Sequence, residues 1–433
     1  MERNRKLGNR ARRIWLGNAQ PAKNEGGCYL YSPWAWAKRL AFRGATGLVA
    51  GLLLLFCLTG IVYAQALSID SKASLLMEAE TGRVLHENNA HEKLAPASVT
   101  KIMTMLLIYE ALEQERIKWD DVVTTSAHAA SMGGSQIFLE QDEKQTVRDL
   151  TKSIVIASAN DAAVAMAEFV SGSEDAFVAA MNKKAKELGM ENTNFANSCG
   201  LDAPGHLTTA YDIALMTREI ITKYPEVFKY AQTRLDKITH RTARGEEEFG
   251  LTNTNKLIRN YSGATGLKTG STSEALYCIS ATAEKEGMQL IAVVLAAPDP
   301  STRFGSAMKL LDYGYANYAL IAKEEAGTPM GEIKIFKGKV ESTPVVIKEQ
   351  TNMLAPKGKH VVLDSEIKIL ESLDAPVAAG QAAGEVIYTW EGEEVGRSQL
   401  IVPEEIAKAS PGDMMERMFK RWFFNDEPEV PEE

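Results

Sequence analysis

The sequence predicts an α/β (α+β) domain with an antiparallel sheet, followed by a small all-β domain and a terminal amphipathic helix. Three observations carry this prediction. Strand-like and helical segments alternate over residues 67–326, short alternating strands with turns fill 327–405, and a bulky apolar stripe lies within 406–433. The 433 residues are 45% hydrophobic and 24% charged. This globular composition excludes wholesale disorder, a collagen repeat and a coiled-coil rod.

Charge is unevenly distributed along the chain. Residues 1–45 carry ten Lys or Arg against two Asp or Glu, residues 46–66 carry no charge, and the remaining chain holds 38 basic and 55 acidic residues. The neutral stretch is Leu-rich and ends in Ala64-Gln65-Ala66, which is typical of a secretory signal cleaved after Ala66. An uncleaved membrane anchor is the alternative, because the run approaches the ~17–25 residues that span a bilayer. We expect residues 1–66 to be leader and signal or anchor, and the body to be exported.

The composition of the exported body excludes several classes of function. An acidic body is unsuited to nucleic-acid phosphates, which require clustered Lys and Arg. Only Cys199 and Cys278 follow residue 66, and we expect two separate thiols rather than a Cys/His protease. The six His residues show no metal-ligand spacing, so neither a metal site nor a cofactor is expected.

The exported body begins with a predicted hairpin. Residues 74–77 and 83–86 are apolar and strand-like, and the turn Glu80-Thr81-Gly82 separates them. An apolar helix is expected over 98–112, because Pro96 is well placed to open it.

The middle of the body is predicted to be helical. Two short helices are expected over 146–156 and 161–170, broken at Ser158-Ala159-Asn160, with Asp161 as the cap of the second. Thr209, followed three residues later by an aspartate, resembles a capping box for a further helix.

Strands return in the last part of the region 67–326. Residues 277–282 and 290–296 are apolar and rich in β-formers, and a short turn between them predicts a hairpin, with a helix to follow over 303–318. Beyond residue 327, alternating segments such as 332–336 and 366–370 predict the all-β domain.

The chain end carries a predicted amphipathic helix over 413–424. Its apolar positions fall on two adjacent stripes of the helix surface, formed by Met414, Met418, Trp422, Met415, Phe419 and Phe423. Such a bulky stripe on an exported protein is typical of a helix lying in a membrane interface. Packing against its own domain is the alternative.

Three short motifs could carry chemistry, and the first is Ser98-Val99-Thr100-Lys101. It places a hydroxyl and an amine on one face of a helix. A serine becomes nucleophilic when a base removes its proton, and a lysine can be that base if burial or a nearby cation keeps it neutral. The spacing alone is weakly specific, because it recurs at 306–309 and 365–368.

Two further motifs distinguish Ser98 from these recurrences. Ser158-Ala159-Asn160 and Lys268-Thr269-Gly270 follow in that order, and the latter stands just before the β-rich run. Each alone is typical of a helix-opening turn or of an edge strand. Together, in this order and in an exported chain, the three motifs are a specific signal for serine acyl transfer.

With these motifs the chain resembles the serine D-alanyl-D-alanine carboxypeptidases, the low-molecular-mass penicillin-binding proteins, over most of 67–425. The segment 197–212, the β-rich domain and the terminal helix extend the likeness. The resemblance implies a transpeptidase/β-lactamase-like catalytic domain over 67–326. It also implies that the enzyme removes the terminal D-alanine of peptidoglycan stem peptides ending in D-Ala-D-Ala, is acylated by β-lactams, and is attached peripherally to the outer face of the cell membrane.

The resemblance also implies a role for each matching residue. Ser98 would be the acylated nucleophile and Lys101 its base, while Ser158 and Asn160 would relay protons and position the substrate. Lys268, Thr269 and Gly270 would line the bound peptide. Ser271 would contribute its backbone N–H to an oxyanion hole together with that of Ser98, and Arg303 would face the substrate carboxylate. Repulsion from Lys268 is expected to lower the pKa of Lys101.

Two other functions stay open at this point. A class A-type β-lactamase shares the motif logic, but such enzymes typically have Ser-Asp-Asn where this chain has Ser158-Ala159-Asn160, and no Leu-Asn dipeptide of their Glu-x-x-Leu-Asn loop occurs here. A non-catalytic, membrane-held module that binds cell wall is the second alternative.

Overall fold

The structure, a computed structural model, describes residues 67–242, 245–322, 324–349, 352–358 and 362–423. The predicted leader and signal or anchor of residues 1–66 lie outside the described residues, as do residues 424–433.

The first part of the described chain alternates strands and helices. The strands are β1 (Ala73–Glu78), β2 (Val84–Asn88), β3 (Val122–Thr124), β4 (Lys144–Thr146), β5 (Leu235–Thr242), β6 (Gly245–Thr252), β7 (Ala264–Thr272), β8 (Leu276–Lys285), β9 (Met288–Ala297) and β10 (Tyr318–Ala322). The helices are α1 (Lys101–Glu113), α2 (Ala127–Ala130), α3 (Val147–Ala157), α4 (Asn160–Ser171), α5 (Glu174–Glu187), α6 (Ala210–Lys223), α7 (Phe228–Ala231), α8 (Leu257–Asn260) and α9 (Pro300–Asn317).

A five-stranded sheet in the order β2-β1-β9-β8-β7 organises this part, and every pair in it is antiparallel. The predicted hairpins form as β1–β2 and β8–β9. In the first hairpin the carboxylate of Glu78 accepts the backbone N–H groups of Glu80 and Thr81 at 2.8 and 2.7 Å, which holds the turn. The predicted α/β domain with an antiparallel sheet is confirmed.

The sheet is buried on both faces. Alternate residues of β9 belong to two separate apolar clusters, Ile291 and Val293 to one, Ala292 and Val294 to the other. The first cluster contains the buried side chains of α1 and of α3 to α6, and the second contains those of α9. Because side chains alternate along a strand, an apolar run such as β9 is stable between two helical layers.

The second part of the described chain is all β, as predicted. Its strands are β11 (Pro329–Phe336), β12 (Ser342–Ile347), β13 (Asn352–Pro356), β14 (Asp364–Ile369), β15 (Ser372–Asp374), β16 (Ala382–Trp390) and β17 (Glu393–Ile401). Six of these form a sheet in the order β14-β16-β17-β12-β11-β15, in which β11 and β15 are parallel. The remaining strand, β13, pairs with β10, so a strand pair crosses the predicted boundary at 326–327.

The predicted terminal helix forms as α10 (Pro411–Phe423). Ser410 and Asp413 cap it reciprocally, since Ser410 N–H donates to the Asp413 carboxylate and Asp413 N–H to Ser410 Oγ. All six apolar side chains of the predicted stripes are exposed, up to 83% at Trp422. Across the described residues, none of the helices combines the length and apolar character that crossing a membrane needs.

Local details differ from the sequence predictions at three helix starts. The helix expected from residue 98 begins as a 3-10 turn, and α1 starts at Lys101. The prediction that Asp161 caps α4 is wrong, because the N-cap is Ala159 and the Asp161 carboxylate accepts backbone N–H groups of a neighbouring loop instead. Thr209 caps α6 as predicted. Asp299 caps α9, which begins at Pro300, three residues before the predicted start.

Candidate active site

Ser98 lies in a one-turn 3-10 helix, Ala97–Thr100, directly before α1. Ala97 has a φ of +47°, and the amide of Val99 donates to the carbonyl of Pro96 at 3.3 Å. The turn leaves the Ser98 side chain half-buried. Lys101 opens α1, and its Nζ lies 3.1 Å from Ser98 Oγ. The predicted hydroxyl and amine therefore meet across the junction of turn and helix.

The ammonium group of Lys101 is surrounded by three acceptors. Besides Ser98 Oγ, Nζ donates to Asn160 Oδ1 and to the Cys199 carbonyl, both at 2.6 Å. The side chain is completely buried. Burial lowers the pKa of Lys101 to about 8, against smaller opposing effects of the Cys199 thiol and the Asp161 carboxyl.

The second motif meets the third across the same site. Ser158 directly follows α3 as its C-cap and has a left-handed φ of +63°. Lys268, on β7, donates from Nζ to Ser158 Oγ at 2.8 Å and to the Thr269 carbonyl at 2.9 Å. Burial first, then repulsion from Lys101 and Arg303, holds the pKa of Lys268 well below its usual range.

The expected cause of the low pKa of Lys101 is corrected by this geometry. The sequence predicted repulsion from Lys268, whereas burial is the largest cause at Lys101. Repulsion between the two amines instead lowers the pKa of Lys268. Lys101 is placed in the first turn of a helix that is buried almost throughout, and no sequence pattern reports that degree of burial.

Asn160, the first residue of α4, is held from both its backbone and its side chain. Its N–H donates to the Ser135 carbonyl at 2.7 Å, and its Nδ2 donates to the Gly133 carbonyl at 2.6 Å. The adjacent Asp161 accepts the N–H groups of Ile137 and Leu139. These bonds fix the amide so that its oxygen faces Lys101.

Two glycines allow neighbouring segments to approach the turn that carries Ser98. A Cβ on Gly270 would lie 2.8 Å from the Ser98 nitrogen, and one on Gly200 would lie 2.0 Å from the Ala97 carbonyl oxygen. Thr269 is buried and donates to Thr254 Oγ1 at 2.8 Å, while Ser271 is exposed. The predicted strand motif thus lies directly beside Ser98.

Arg303 extends from α9 towards the same strand. It is buried, and its Nη1 donates to the carbonyls of Gly270 at 3.1 Å and Cys278 at 3.4 Å. The guanidinium also lies over the rings of Tyr277 and Phe304. These contacts support β7 at Gly270 and β8 at Cys278. The predicted contact of Arg303 with a substrate carboxylate stays a prediction.

Sequence reasoning noted the segment 197–212 but missed that its Cys199 carbonyl accepts a hydrogen bond from Lys101. Asn197 Oδ1 accepts the N–H of Gly200 at 2.6 Å, which folds this segment into a tight loop. The polar run Asn197-Ser198 was the available signal, but a carbonyl acceptor has no side-chain signature. Cys199 and Cys278 are separate buried thiols, as expected. Within the described ranges, no three His, Cys, Asp or Glu side chains group as metal ligands.

A serine bonded to a buried lysine of lowered pKa, beside a strand bearing a second lysine, defines a serine acyl-transfer enzyme of the penicillin-binding class. Comparison with known proteins specifies the family. The model of the D-alanyl-D-alanine carboxypeptidases of peptidase family S11 matches residues 61–299. That of the C-terminal domain of penicillin-binding protein 5 matches 321–408. The chain belongs to the S11 family of D-alanyl-D-alanine carboxypeptidases.

Similar proteins cover most of this chain. D-alanyl-D-alanine carboxypeptidase DacF of Bacillus subtilis (strain 168) is 43% identical over 357 residues, which cover 82% of this chain and 91% of that protein. DacC of Escherichia coli (strain K12) is 33% identical, with 87% and 96% covered. Penicillin binding protein 5 from Haemophilus influenzae has a TM-score of 0.64 at 31% identity, with 79% and 98% covered.

A further solved structure contains a β-lactam. Penicillin-binding protein D2 of Listeria monocytogenes in its ampicillin-bound form has a TM-score of 0.50 at 32% identity, over 57% of this chain and 98% of that one. The chain is a serine-type D-Ala-D-Ala carboxypeptidase, a hydrolase of the penicillin-binding proteins. The family match favours the carboxypeptidase over the two alternatives, a β-lactamase and a non-catalytic binding module.

Proposed function

We propose that Ser98 is the nucleophile of this carboxypeptidase and that Lys101 is the base that activates it. Ser98 Oγ attacks the carbonyl of the penultimate D-alanine, and its proton passes to Lys101 Nζ. The bond to the terminal D-alanine nitrogen then breaks, and that nitrogen takes up a proton as D-alanine leaves. Water hydrolyses the Ser98 ester and regenerates the enzyme.

The observation that carries this proposal is the set of partners around Lys101 Nζ. A neutral amine has two N–H donors and one lone pair. Asn160 Oδ1 and the Cys199 carbonyl, each 2.6 Å away, can accept the two N–H groups. The lone pair is then left for the O–H of Ser98, 3.1 Å away. Together with a pKa of about 8, this arrangement suits a base that works near neutral pH.

Ser158 and Lys268 are proposed to serve the leaving group and the substrate carboxylate. The Ser158 hydroxyl bonds to Lys268 Nζ at 2.8 Å, so it can pass a proton towards the leaving nitrogen. Lys268 is buried with a lowered pKa, and an incoming carboxylate favours its protonated form by charge attraction. Arg303, behind Gly270, adds positive charge on the same side.

The strand beside Ser98 is proposed to bind the peptide and the developing oxyanion. Gly270 lies so close to the Ser98 nitrogen that no Cβ fits between them. This contact supports an oxyanion hole formed by the backbone N–H groups of Ser98 and Ser271, with Lys268, Thr269 and Gly270 lining the peptide. A β-lactam, having no separate leaving group, is proposed to remain attached to Ser98.

The exported body is proposed to act at the outer face of the cell membrane. The apolar side chains of α10 are exposed rather than packed on the β domain, which supports insertion into a lipid interface. Arg417 bonds to the Gly338 carbonyl, so the helix is joined to that domain on its polar side.

The test of the catalytic assignment is release of D-alanine from a diacetyl-Lys-D-Ala-D-Ala peptide. We expect Ser98→Ala to lower the rate by at least about 10³-fold, because the acyl-enzyme cannot form. Ser365→Ala is the matched control, since it removes an exposed serine from another Ser-x-x-Lys spacing, and it should stay within about twofold of wild type. Equal release by Ser98→Ala and wild type would overturn the assignment.

A further inference from the structure

Glu174, the first residue of α5, bonds to two partners outside its own helix. Its Oε1 accepts both the N–H and the Oγ–H of Ser198, at 2.9 and 2.7 Å. Its Oε2 lies 2.8 Å from Nε2 of His128. Burial alone would raise the pKa of Glu174, but hydrogen bonds from His128 and Ser198 outweigh it and leave this pKa below its usual value. Glu174 is therefore a carboxylate at neutral pH.

Ser198 is fixed on all its polar atoms. Besides its two bonds to Glu174, its carbonyl accepts Thr104 Oγ1–H at 2.5 Å, so α1 holds one side of this residue and α5 the other. Ser198 is completely buried. The next residue along the chain is Cys199, whose carbonyl accepts Lys101 Nζ at 2.6 Å.

The position of that carbonyl follows from how Ser198 is held. Residues 197–202 contain no helix or strand, so side-chain bonds determine the orientation of each peptide unit. Asn197 Oδ1 organises the far side of the loop through the N–H of Gly200, but its contact with the Cys199 N–H is long, at 3.3 Å. The charge-assisted bonds lie on the Glu174 side, where the carboxylate accepts the Ser198 N–H at 2.9 Å and the Ser198 hydroxyl at 2.7 Å.

We propose that Glu174 is a positioning residue for the acylation of Ser98, because it holds Ser198 and thereby fixes the Cys199 carbonyl against Lys101. The inference rests on the proposed role of Lys101 as base. Glu174 reaches neither substrate nor Lys101 and acts only through the loop. Without its carboxylate, the N–H and hydroxyl of Ser198 lose a buried acceptor, and the loop must move to find another.

Loss of this anchor has a consequence that a change in stability alone would not produce. A carbonyl acceptor stabilises the charged ammonium of Lys101 and so opposes the effect of burial. The charged and titratable groups that face Lys101 are the Asp161 carboxyl, the Cys199 thiol and the Lys268 amine. If the carbonyl withdraws while these stay in place, the pKa of Lys101 falls further, and a misplaced base transfers protons more slowly.

The test measures the second-order rate of acylation by a fluorescent penicillin between pH 6 and pH 10. Glu174→Ala is expected to lower the plateau rate by about tenfold to hundredfold and to shift the alkaline rise in rate to lower pH. Glu174→Gln keeps an oxygen facing Ser198, so it should restore the rate to within about threefold and leave the pH profile in place. His128→Ala, which leaves both bonds to Ser198, should resemble wild type.

Each other outcome overturns the inference. A wild-type rate and profile in Glu174→Ala would show that the loop needs no anchor, and equal losses in the Gln and Ala variants would show that charge rather than the acceptor matters. A reduced melting temperature with an unchanged profile would make Glu174 merely structural. If the Ala variant does not fold, Glu174→Asp, one methylene too short to reach Ser198, takes its place with the same expected loss and shift. Lys101→Ala is run in parallel, since normal acylation there contradicts the base assignment itself and not only the inference on Glu174.

Discussion

Lys101 shows how one residue depends on its surroundings for its chemistry. The same Ser-x-x-Lys spacing at 306–309 and 365–368 carries no such role, because there the lysine is exposed. At Lys101 complete burial lowers the pKa to about 8. Three acceptors around Nζ form hydrogen bonds with this buried amine. Without such partners, burial of the amine would be strongly unfavourable.

We expect the rate of Ser98 acylation to rise with pH and to level off above about 8. Below the pKa of Lys101 its amine is protonated and cannot accept the serine proton, so the rate should fall about tenfold per pH unit on the acidic side. The measurement is the rate of labelling by a fluorescent penicillin from pH 6 to 10. Lys309→Ala, at an exposed lysine of the same spacing, should keep the profile. A flat wild-type profile would contradict the assignment of Lys101.

At the scale of elements, the site depends on a change of helix type. Ser98 lies in a 3-10 turn and Lys101 in the α-helix that follows it, so the nucleophile stands outside the regular helix. The turn is enclosed by β7 on one side and the 197–202 loop on the other. Both approaches require glycine, since Gly270 and Gly200 leave no room for a Cβ.

Gly200→Ala is expected to lower the acylation rate by more than its loss of folding stability explains. The added Cβ would meet the Ala97 carbonyl at 2.0 Å, so the turn carrying Ser98 must shift, and acylation should slow at least about tenfold. Gly189→Ala is the control, because Gly189 has a similar φ of +74° against +86°, with open space around it.

The two glycine variants are compared by melting temperature and by acylation rate. Both variants should lose ~1 kcal/mol of folding stability, because alanine is disfavoured at a left-handed φ. The Gly189 variant alone should acylate normally. Similar acylation rates in the two variants would show that the turn tolerates displacement.

At the scale of the whole molecule, the site draws on elements that are distant in sequence. Lys101 belongs to α1, Asn160 to α4 and Lys268 to β7, and the sheet and its two helical layers hold these elements together. The β-rich domain packs against the α/β domain through β13. This strand pairs with β10 and contributes Leu354 to the apolar cluster under α9. The two predicted domains therefore share a small part of one core.

We expect the chain that follows residue 66 to float with phospholipid vesicles, and Met418→Ser/Trp422→Ser to reduce binding by at least about tenfold. These side chains are 69% and 83% exposed, and burying each in lipid stabilises binding by ~1.5–3 kcal/mol. Glu416→Ser/Lys420→Ser, which removes an ion pair from the same helix without changing net charge, should bind as wild type.

Flotation is measured beside hydrolysis of a soluble peptide, which both double variants should retain because α10 contributes no side chain to the site. If the wild-type chain fails to bind neutral or anionic vesicles, α10 is not a membrane anchor. If the polar variant loses binding as strongly as the apolar one, burial of the apolar side chains is not what holds the chain.

The sequence by itself determined the two hairpins, the terminal helix and the candidate residues of this protein. Apolar, strand-like runs separated by turns predicted β1, β2, β8 and β9, and an apolar stripe predicted α10, because these patterns are local consequences of backbone geometry. The ordered motifs around Ser98, Asn160 and Lys268 indicated serine acyl transfer, since their residue types are visible in the chain itself.

Only the tertiary structure decided how these residues are tuned. The Cys199 carbonyl on Lys101, the Gly133 and Ser135 carbonyls on Asn160, and the anchoring of Ser198 by Glu174 are contacts between distant segments. A backbone carbonyl has the same chemistry at every residue, so the sequence does not mark which one becomes an acceptor. Burial likewise belongs to the packed molecule, and it is burial that sets the pKa of Lys101.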